Sequence, residues 1–389
     1  MRVFSIPMTT RFRGITVREG ALIEGERGWG EWSPFTEYPP DVAEPWLRCA
    51  EEAAAGDWPV VVRDAVPVNA TVPVVSPEAA HALVVASGCA TAKVKVADPG
   101  SALADDLARV EAVRDALGPA GRVRVDANGA WSVDEAVTAI VALERAAGGL
   151  EYVEQPCASV EGLAAVRRRV DVPIAADESI RRASDPYRVR DLEAADIAVL
   201  KVQPLGGVHA CLQIAEDIGM PVVVSSALET SLGLAAGVAL AAALPRLDHA
   251  CGLATRSLLT ADVAFPELVP VDGMLPVALP LVAPALADAC AAPPARAAWW
   301  EERLAAVRAV REDRRSRTTR RRSRGRWWAA SWRRGSARSC SRPGRATRPW
   351  PSRRTTRPRP DGSGCTRAST SARPASWPSV SPRSAARPR

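Results

Sequence analysis

Between Val66 and about residue 262, short β-rich runs recur every 23 to 30 residues or so, each followed by an Ala-, Leu- and Arg-rich stretch of helical character. The runs centre near Asn69, Lys93, Arg124, Tyr152, Ile174, Val199, Val223 and Cys251. That interval accommodates one strand and one returning helix, and parallel strands can be joined only through such a crossover. Eight units predict an α/β fold built on a closed (β/α)8 TIM-like barrel. An open doubly wound sheet is the alternative, but no G-x-G-x-x-G follows the first run.

The flanks read differently. Residues 1–65 alternate apolar and polar positions around Gly and Pro turns, with a helical stretch near Pro45 to Ala55, and predict a small N-terminal α+β capping domain. Residues 263–311 hold Pro-rich connections and an amphipathic helix from Arg296 to Val310, which is expected to complete that domain, leaving residues 66–262 as the catalytic barrel. From 312 to 389 the chain is a basic tail rich in Arg, Ser and Pro with almost no Leu, Ile or Val, and this predicts disorder. Of the formal +7, residues 314–389 carry +22 (23 Arg against Asp361) and residues 1–313 carry −15. The acidic body argues against nucleic-acid binding by the globular part. A nucleic-acid-binding arm is one reading of the tail; an out-of-frame reading of GC-rich coding DNA fits its Arg, Pro, Ser, Ala and Trp mixture better.

The longest apolar run, Ser231 to Leu244, is too short to span a bilayer, and Arg11 and Arg13 interrupt any signal-like N-terminus. The eight cysteines show no C-x-x-C spacing, so free thiols in a reducing cytoplasm are expected, without a disulfide framework or a cysteine-based zinc site.

In barrels of this kind the chemistry lies at the C-terminal ends of the strands. Period two places Lys93 and Lys95 on one face of the second run, and Arg124, Asp126 and Asn128 on one face of the third. The fourth run ends in Glu154-Gln155-Pro156, the fifth in Asp177-Glu178-Ser179, and the sixth contains Lys201. Asp126, Glu154 and Asp177 thus come from three consecutive strand ends. Converging carboxylates repel one another unless a cation sits between them; hard oxygen ligands select Mg2+, Mn2+ or Ca2+, and a site with positions free for substrate favours Mg2+, with Mn2+ a possible substitute.

The lysines point the same way. Lys93, Lys95 and Lys201 are the only lysines among 51 cationic residues, and all three fall inside the predicted strands. Arginine keeps its proton in a protein; lysine can release it. Lys93 is expected to lower its neighbour's pKa by like-charge repulsion. The three histidines form no motif.

The series Lys93-x-Lys95, Asp126-x-Asn128, Glu154-Gln155-Pro156, Asp177-Glu178-Ser179 and Lys201, at steps of 31, 28, 23 and 24 residues from Lys95, resembles the enolase superfamily, and within it the muconate-lactonizing subgroup. The resemblance extends over about residues 1–311. It implies Mg2+ on Asp126, Glu154 and Asp177, with Lys95 and Lys201 facing each other across a small-molecule carboxylate. Arg124 to Trp131 and Ser225 to Ser231 resemble the branch that forms an aromatic dicarboxylate for menaquinone biosynthesis; the Asp-x-Asp expected of dipeptide epimerases is absent from Cys251 to Thr255.

The implied reaction is a syn dehydration with Lys95 as base and then acid, Lys201 protonated on the opposite face, and Lys93 tuning Lys95. The alternatives on this scaffold are N-succinylamino-acid racemisation and cycloisomerisation. Arg124, Asn128, Ser226 and Arg13 are the expected substrate-binding residues. Arg13 belongs to a capping-domain loop, Thr10 to Ile15, expected to cover the barrel mouth; Glu229 reads equally as a pocket residue or a helix-terminal cap. The oligomeric state, monomer or small homo-oligomer, is left open.

Overall fold

Alternation in the first strand, β1 (Arg2–Phe12), buries Phe4, Ile6 and Met8. Strand β1 pairs antiparallel with β2 (Ile15–Glu24), which pairs with β3 (Trp29–Trp32). The β1–β2 hairpin turns on Arg13 and Gly14, at φ 51° and 79°, the two positive φ angles that a tight turn matched to strand twist requires. Helix α1 (Pro40–Ala55) packs on this sheet through Trp46, Leu47 and Ala50. It starts five residues before the helical stretch expected from the sequence, because Pro40 is well placed in a first turn and Pro45 is tolerated inside it. A Cβ on Gly30 would lie 1.9 Å from the Ala50 carbonyl oxygen, so only glycine lets β3 lie this close to α1. The computed structural model describes residues 1–181 and 185–335, with side chains as far as Arg314 and at Ser316.

The barrel follows. After β4 (Ala65–Pro67) come β5 (Ala70–Val72), α2 (Pro77–Ser87), β6 (Thr91–Lys95), α3 (Leu103–Leu117), β7 (Arg122–Asp126), α4 (Val133–Ala147) and β8 (Leu150–Glu154). Then α5 (Val160–Arg167), β9 (Ile174–Ala176), α6 (Asp185–Asp191), β10 (Ile197–Lys201), α7 (Val202–Leu205), α8 (Val208–Ile218), β11 (Val222–Ser225) and α9 (Ser231–Ala243) complete the series. Strands β5 to β11 form one parallel sheet in chain order. Cys251 and Gly252 close it. The Cys251 amide donates to Pro67 O at 2.7 Å and the Asn69 amide to Cys251 O at 3.0 Å, while the Gly252 amide donates to Val224 O at 2.8 Å. All eight expected runs are therefore in the wall, the eighth reduced to two residues. A short 3-10 turn, Ala254–Leu258, takes the place of the helix expected after it.

Outward-facing residues such as Val94, Val125 and Val153 pack beneath the helices in the main core. The barrel interior holds a small second cluster of Tyr152, Ala175, Ile197, Val199 and Val223. Helix α9, from the long apolar run, is buried on almost every side. Among the described residues no helix is long and apolar enough to cross a membrane. The six cysteines among them are all buried free thiols; Cys340 and Cys365 lie outside.

The chain returns to the cap through β12 (Ala264–Phe265), β13 (Met274–Pro276, paired with β4), β14 (Leu281–Val282), α10 (Pro284–Ala289) and α11 (Pro294–Gly335). Residues 290–292 extend the β1 edge, the Ser5 amide donating to Cys290 O and the Ala292 amide to Val3 O, both at 2.9 Å. Trp300, Leu304 and Val307 join the core of the cap, with Trp300 edge-on to Trp32 at 5.3 Å. The described residues divide into a unit of residues 1–310 and a second that begins at Arg311. The backbone of α11 is helical as far as Gly335; no proline occurs between Pro294 and Pro343. The rest of the tail, with the nucleic-acid reading attached to it, lies outside the described residues.

Candidate active site

Lys93 and Lys95 point into the barrel because the intervening Ala92 and Val94 are taken by the helix layer. Asp126 and Glu154 end the next two strands in register with Lys95 (Lys95↔Asp126, Asp126↔Glu154). Asp177 follows β9, and Lys201 ends β10. Strands β6 and β10 are four places apart in an eight-stranded wall, so Lys95 and Lys201 stand across its full width.

The charges pair off. Lys95 Nζ is 2.5 Å from Asp126 Oδ2 and 2.8 Å from Asn128 Oδ1. Lys201 Nζ is 2.5 Å from Asp177 Oδ2. Lys93 Nζ donates to both oxygens of Glu154, at 2.7 and 2.9 Å, and lies 3.5 Å from Asp126. Despite burial, Lys95 and Lys93 hold the Asp126 carboxyl well below the usual carboxylate range, and Lys201 with Arg181 does the same for Asp177. Burial and the Asp126 charge push the Glu154 carboxyl up to about 7. Glu154 and Asp126 outweigh desolvation at Lys93 and raise it well above the usual lysine range. Lys93 is a paired cation, its charge answered by Glu154.

Two further groups extend the cluster. Glu178 Oε1 accepts from Asn128 Nδ2 at 3.1 Å and from Arg181 Nη2 at 2.6 Å. Four carboxyl groups (Asp126, Glu154, Asp177, Glu178) therefore meet four basic groups (Lys93, Lys95, Lys201, Arg181). Among the described residues no three Asp, Glu, His or Cys side chains already stand as a metal cage; the lysines engage the carboxylates instead. The donor chemistry nevertheless fits a divalent cation. It is all oxygen, and Asp177 Oδ1 and Glu178 Oε2 are buried without a hydrogen-bond partner.

Above the cluster lies a cavity of about 440 Å3. Lys93, Lys95, Lys201, Asp126, Asn128 and Ser226 line it from the barrel, and Thr10 to Gly14 line it from the cap, so the hairpin loop does reach the mouth. Ser226 Oγ is 2.7 Å from Thr255 Oγ1. Arg13 lies over the Phe35 ring at 3.7 Å and binds Glu37 at 2.8 Å. Residues after four barrel strands, Ala97, Asn128, Gln155 and Leu228, take positive φ, backbone strain gathered at the mouth.

Arg124, expected at the substrate, is elsewhere. It is fully buried one layer below the mouth, bound to Glu151 at 2.5 Å and Ala250 O at 2.7 Å, and stacked on Tyr152 at 4.7 Å. Period two gave its face correctly but not its depth. Glu229 Oε2 accepts from the Ala227 amide at 2.6 Å and does not line the cavity. Three residues were missed by sequence reasoning. Gln155 Oε1 accepts from the Asp177 and Ser179 amides at 3.0 and 3.2 Å and so fixes the next strand end. Arg181 and Tyr38 line the cavity, and Tyr38 Oη accepts from Arg181 at 3.0 Å and from Arg13 at 2.9 Å. The four-residue step from Asp177 to Arg181 was a legible signal for Arg181; Tyr38 had none.

Carboxylates on successive strand ends, lysines on opposite walls and a cap closing the mouth define a barrel enzyme of the enolase class. Residues 3–54 match the Enolase N-terminal domain-like family and residues 76–280 the Enolase C-terminal domain-like family. Over 312 residues the chain is 64% identical to an o-succinylbenzoate synthase from Thermobifida fusca, covering 80% of this chain and 96% of that one. It is 58% identical over 311 residues to the o-succinylbenzoate synthase of Mycolicibacterium smegmatis, covering 80% and 95%. A dipeptide epimerase from Enterococcus faecalis, solved with Mg and a dipeptide, is 25% identical with a TM-score of 0.59, over 72% of this chain and 96% of that chain. The chain belongs to the enolase superfamily and, within it, to the family of these o-succinylbenzoate synthases.

Proposed function

We propose that this chain is a lyase that converts 2-succinyl-6-hydroxy-2,4-cyclohexadiene-1-carboxylate into 2-succinylbenzoate and water, a step of menaquinone biosynthesis. The observation that carries the reading is the pair Lys95 and Lys201, across the barrel from each other beneath one cavity, each with its ammonium 2.5 Å from a carboxylate.

Asp126, Glu154 and Asp177 would hold Mg2+, in keeping with the Mg in the epimerase complex, and the ion would supply charge stabilisation for a carboxylate substrate as its α-proton leaves. Lys95, as the free amine, takes the proton from ring carbon 1, and the ammonium so formed then protonates the hydroxyl leaving carbon 6 and returns to the amine, so that one side chain serves both halves of a syn elimination. The ring gains its third double bond, and hydrogen and hydroxyl depart as water. Lys201 keeps its proton and faces the anionic ring from the other side; its charge, and its contact with the ring as aromaticity develops, stabilise the intermediate. Lys93, bound to both Glu154 oxygens, opposes the rise that burial and Asp126 impose on that carboxyl. Ser226 and Asn128 shape the pocket; Arg13, with Arg181 and Tyr38, would meet the succinyl carboxylate.

A second reading, racemisation of an N-succinylamino acid, draws on the equivalence of the two lysines, since racemisation needs a base on each face. A Mg2+-dependent ultraviolet assay separates the two. Aromatisation of the cyclohexadiene substrate, retained when Lys201 is replaced by Arg, supports the dehydration; turnover confined to N-succinylamino acids sinks it.

A further inference from the structure

The cavity wall after β11 is held from behind by two buried charges of the cap. Arg18 on β2 is 2% exposed; its Nε donates to Leu228 O at 2.8 Å and its Nη2 to Ala227 O at 3.2 Å. Its other hydrogen bonds go to Glu19 O and to Ser33. Glu31 on β3, also 2% exposed, accepts from the Thr230 amide at 3.0 Å, Thr230 Oγ1 at 2.5 Å and the Gly233 amide at 3.2 Å. Ser33 Oγ joins the two, donating to Glu31 at 2.6 Å and accepting from Arg18 at 2.9 Å.

These contacts fall on backbone groups that need partners. The first amides of a helix have no partner within it, and a side chain of the preceding residue usually supplies one. At α9 that residue is Thr230, and its side chain makes no capping bond. Glu31 supplies the acceptor instead, from another part of the fold, and its carboxyl oxygen faces the positive end of the helix. Directly before the helix, Leu228 stands at φ 65°, a conformation that a branched apolar side chain rarely takes. Arg18 holds its carbonyl. Ala227 and Leu228 line the cavity, beside Ser226.

We propose that Arg18 and Glu31 are positioning residues: acting from the cap, they set the conformation of barrel segment 227–233 and thereby the shape of the substrate wall. The inference rests on the reading that this cavity takes the substrate. It implies that the cap shapes the pocket through the barrel's own loop as well as by covering the mouth. A small displacement of a substrate wall weakens binding, while Lys95 and the metal carboxylates, on other strands, keep their geometry.

The test uses the full chain with Arg18→Met, Arg18→Lys and Glu31→Gln, and two readouts: amide hydrogen exchange, and kcat and KM for the cyclohexadiene substrate. In Arg18→Met, exchange over 228–233 should quicken about ten-fold or more while β6 to β8 stay unchanged. KM should rise about ten-fold with kcat within about three-fold, and Arg18→Lys and Glu31→Gln should fall between this variant and the parent. Unchanged exchange over 228–233, or kcat lost together with faster exchange throughout the barrel, overturns the proposal. If Arg18→Met does not fold, Arg18→Lys and Thr230→Val decide by the same readouts. If the parent protein does not aromatise the substrate, the functional reading fails, and the exchange measurement still decides whether the cap orders this segment.

Discussion

Lys95 and Lys201 are matched across the barrel: each ends a strand, and each places its ammonium 2.5 Å from the carboxylate at the end of a strand next to its own, Asp126 for the one and Asp177 for the other. The match is one of geometry, whereas the proposed reaction uses the two unequally.

On the proposed mechanism, replacing Lys95 by Ala removes the group that moves both the proton and the hydroxyl. A fall in kcat of about 10^3-fold or more is expected, against less than about 30-fold for Lys201→Arg, which keeps the charge. Single-turnover ultraviolet kinetics measures both. Comparable losses in the two variants would favour the two-base reading.

Asp177→Asn removes one carboxylate from the cluster and leaves Lys201 and Arg181 without their shared partner. Divalent-cation affinity should drop about ten-fold or more, since charge count sets the strength of oxygen sites. Titration with Mn2+, followed by electron paramagnetic resonance, reads binding directly and needs no turnover.

Tyr38 Oη accepts hydrogen bonds from two guanidiniums, Arg13 of the cap loop and Arg181 of the barrel. Tyr38→Phe removes one acceptor from each cation, at about 1 kcal/mol, and leaves Arg13 on Glu37 and Arg181 on Glu178. KM should rise about five-fold, and further in Arg181→Met, with kcat changed less. A substrate analogue lacking the succinyl carboxylate should be indifferent to either change.

Below the site, Glu151 is partly buried, yet hydrogen bonds with His249 and Arg124 lower its carboxyl from 4.5 to about 2. A carboxyl whose pKa falls on folding stabilises the folded chain above its unfolded pKa and loses that contribution as pH drops through the folded value. About 3 kcal/mol should therefore disappear between pH 4.5 and 2. Urea midpoints across that range should fall steeply for the parent and flatten for Glu151→Gln.

Gly30→Ala tests the cap. The added methyl would press on the Ala50 backbone, which a helix cannot move aside. A loss of about 3 kcal/mol or more is expected, seen as a lower urea midpoint with an unchanged slope.

Much of this was legible in the chain alone. The eight-fold β-rich repeat specified the barrel, and the residues that would form a metal and acid–base set fell at strand ends because period two is a local property of the backbone. Arg124 marks the limit. Its face was readable, but whether a side chain on that face reaches the substrate or lies a layer beneath it depends on how the strands are staggered. Lys93 marks another: its nearness to Lys95 was evident, but not the Glu154 carboxylate across two strands that answers its charge.

The sequence by itself determined the order of strands and helices, the faces on which Lys93, Lys95, Asp126 and Lys201 lie, and the acidic character of the body beside a basic tail. These follow from spacing, composition and local stereochemistry. Tertiary structure decided the rest: closure of the barrel by two residues, Cys251 and Gly252, the pairing of each lysine with its carboxylate, the meeting of Arg13 and Arg181 at Tyr38, and the hold of Arg18 and Glu31 on a segment some 200 residues away. Such contacts depend on barrel curvature and on how the cap packs against it, and both are set by the packing of the whole core.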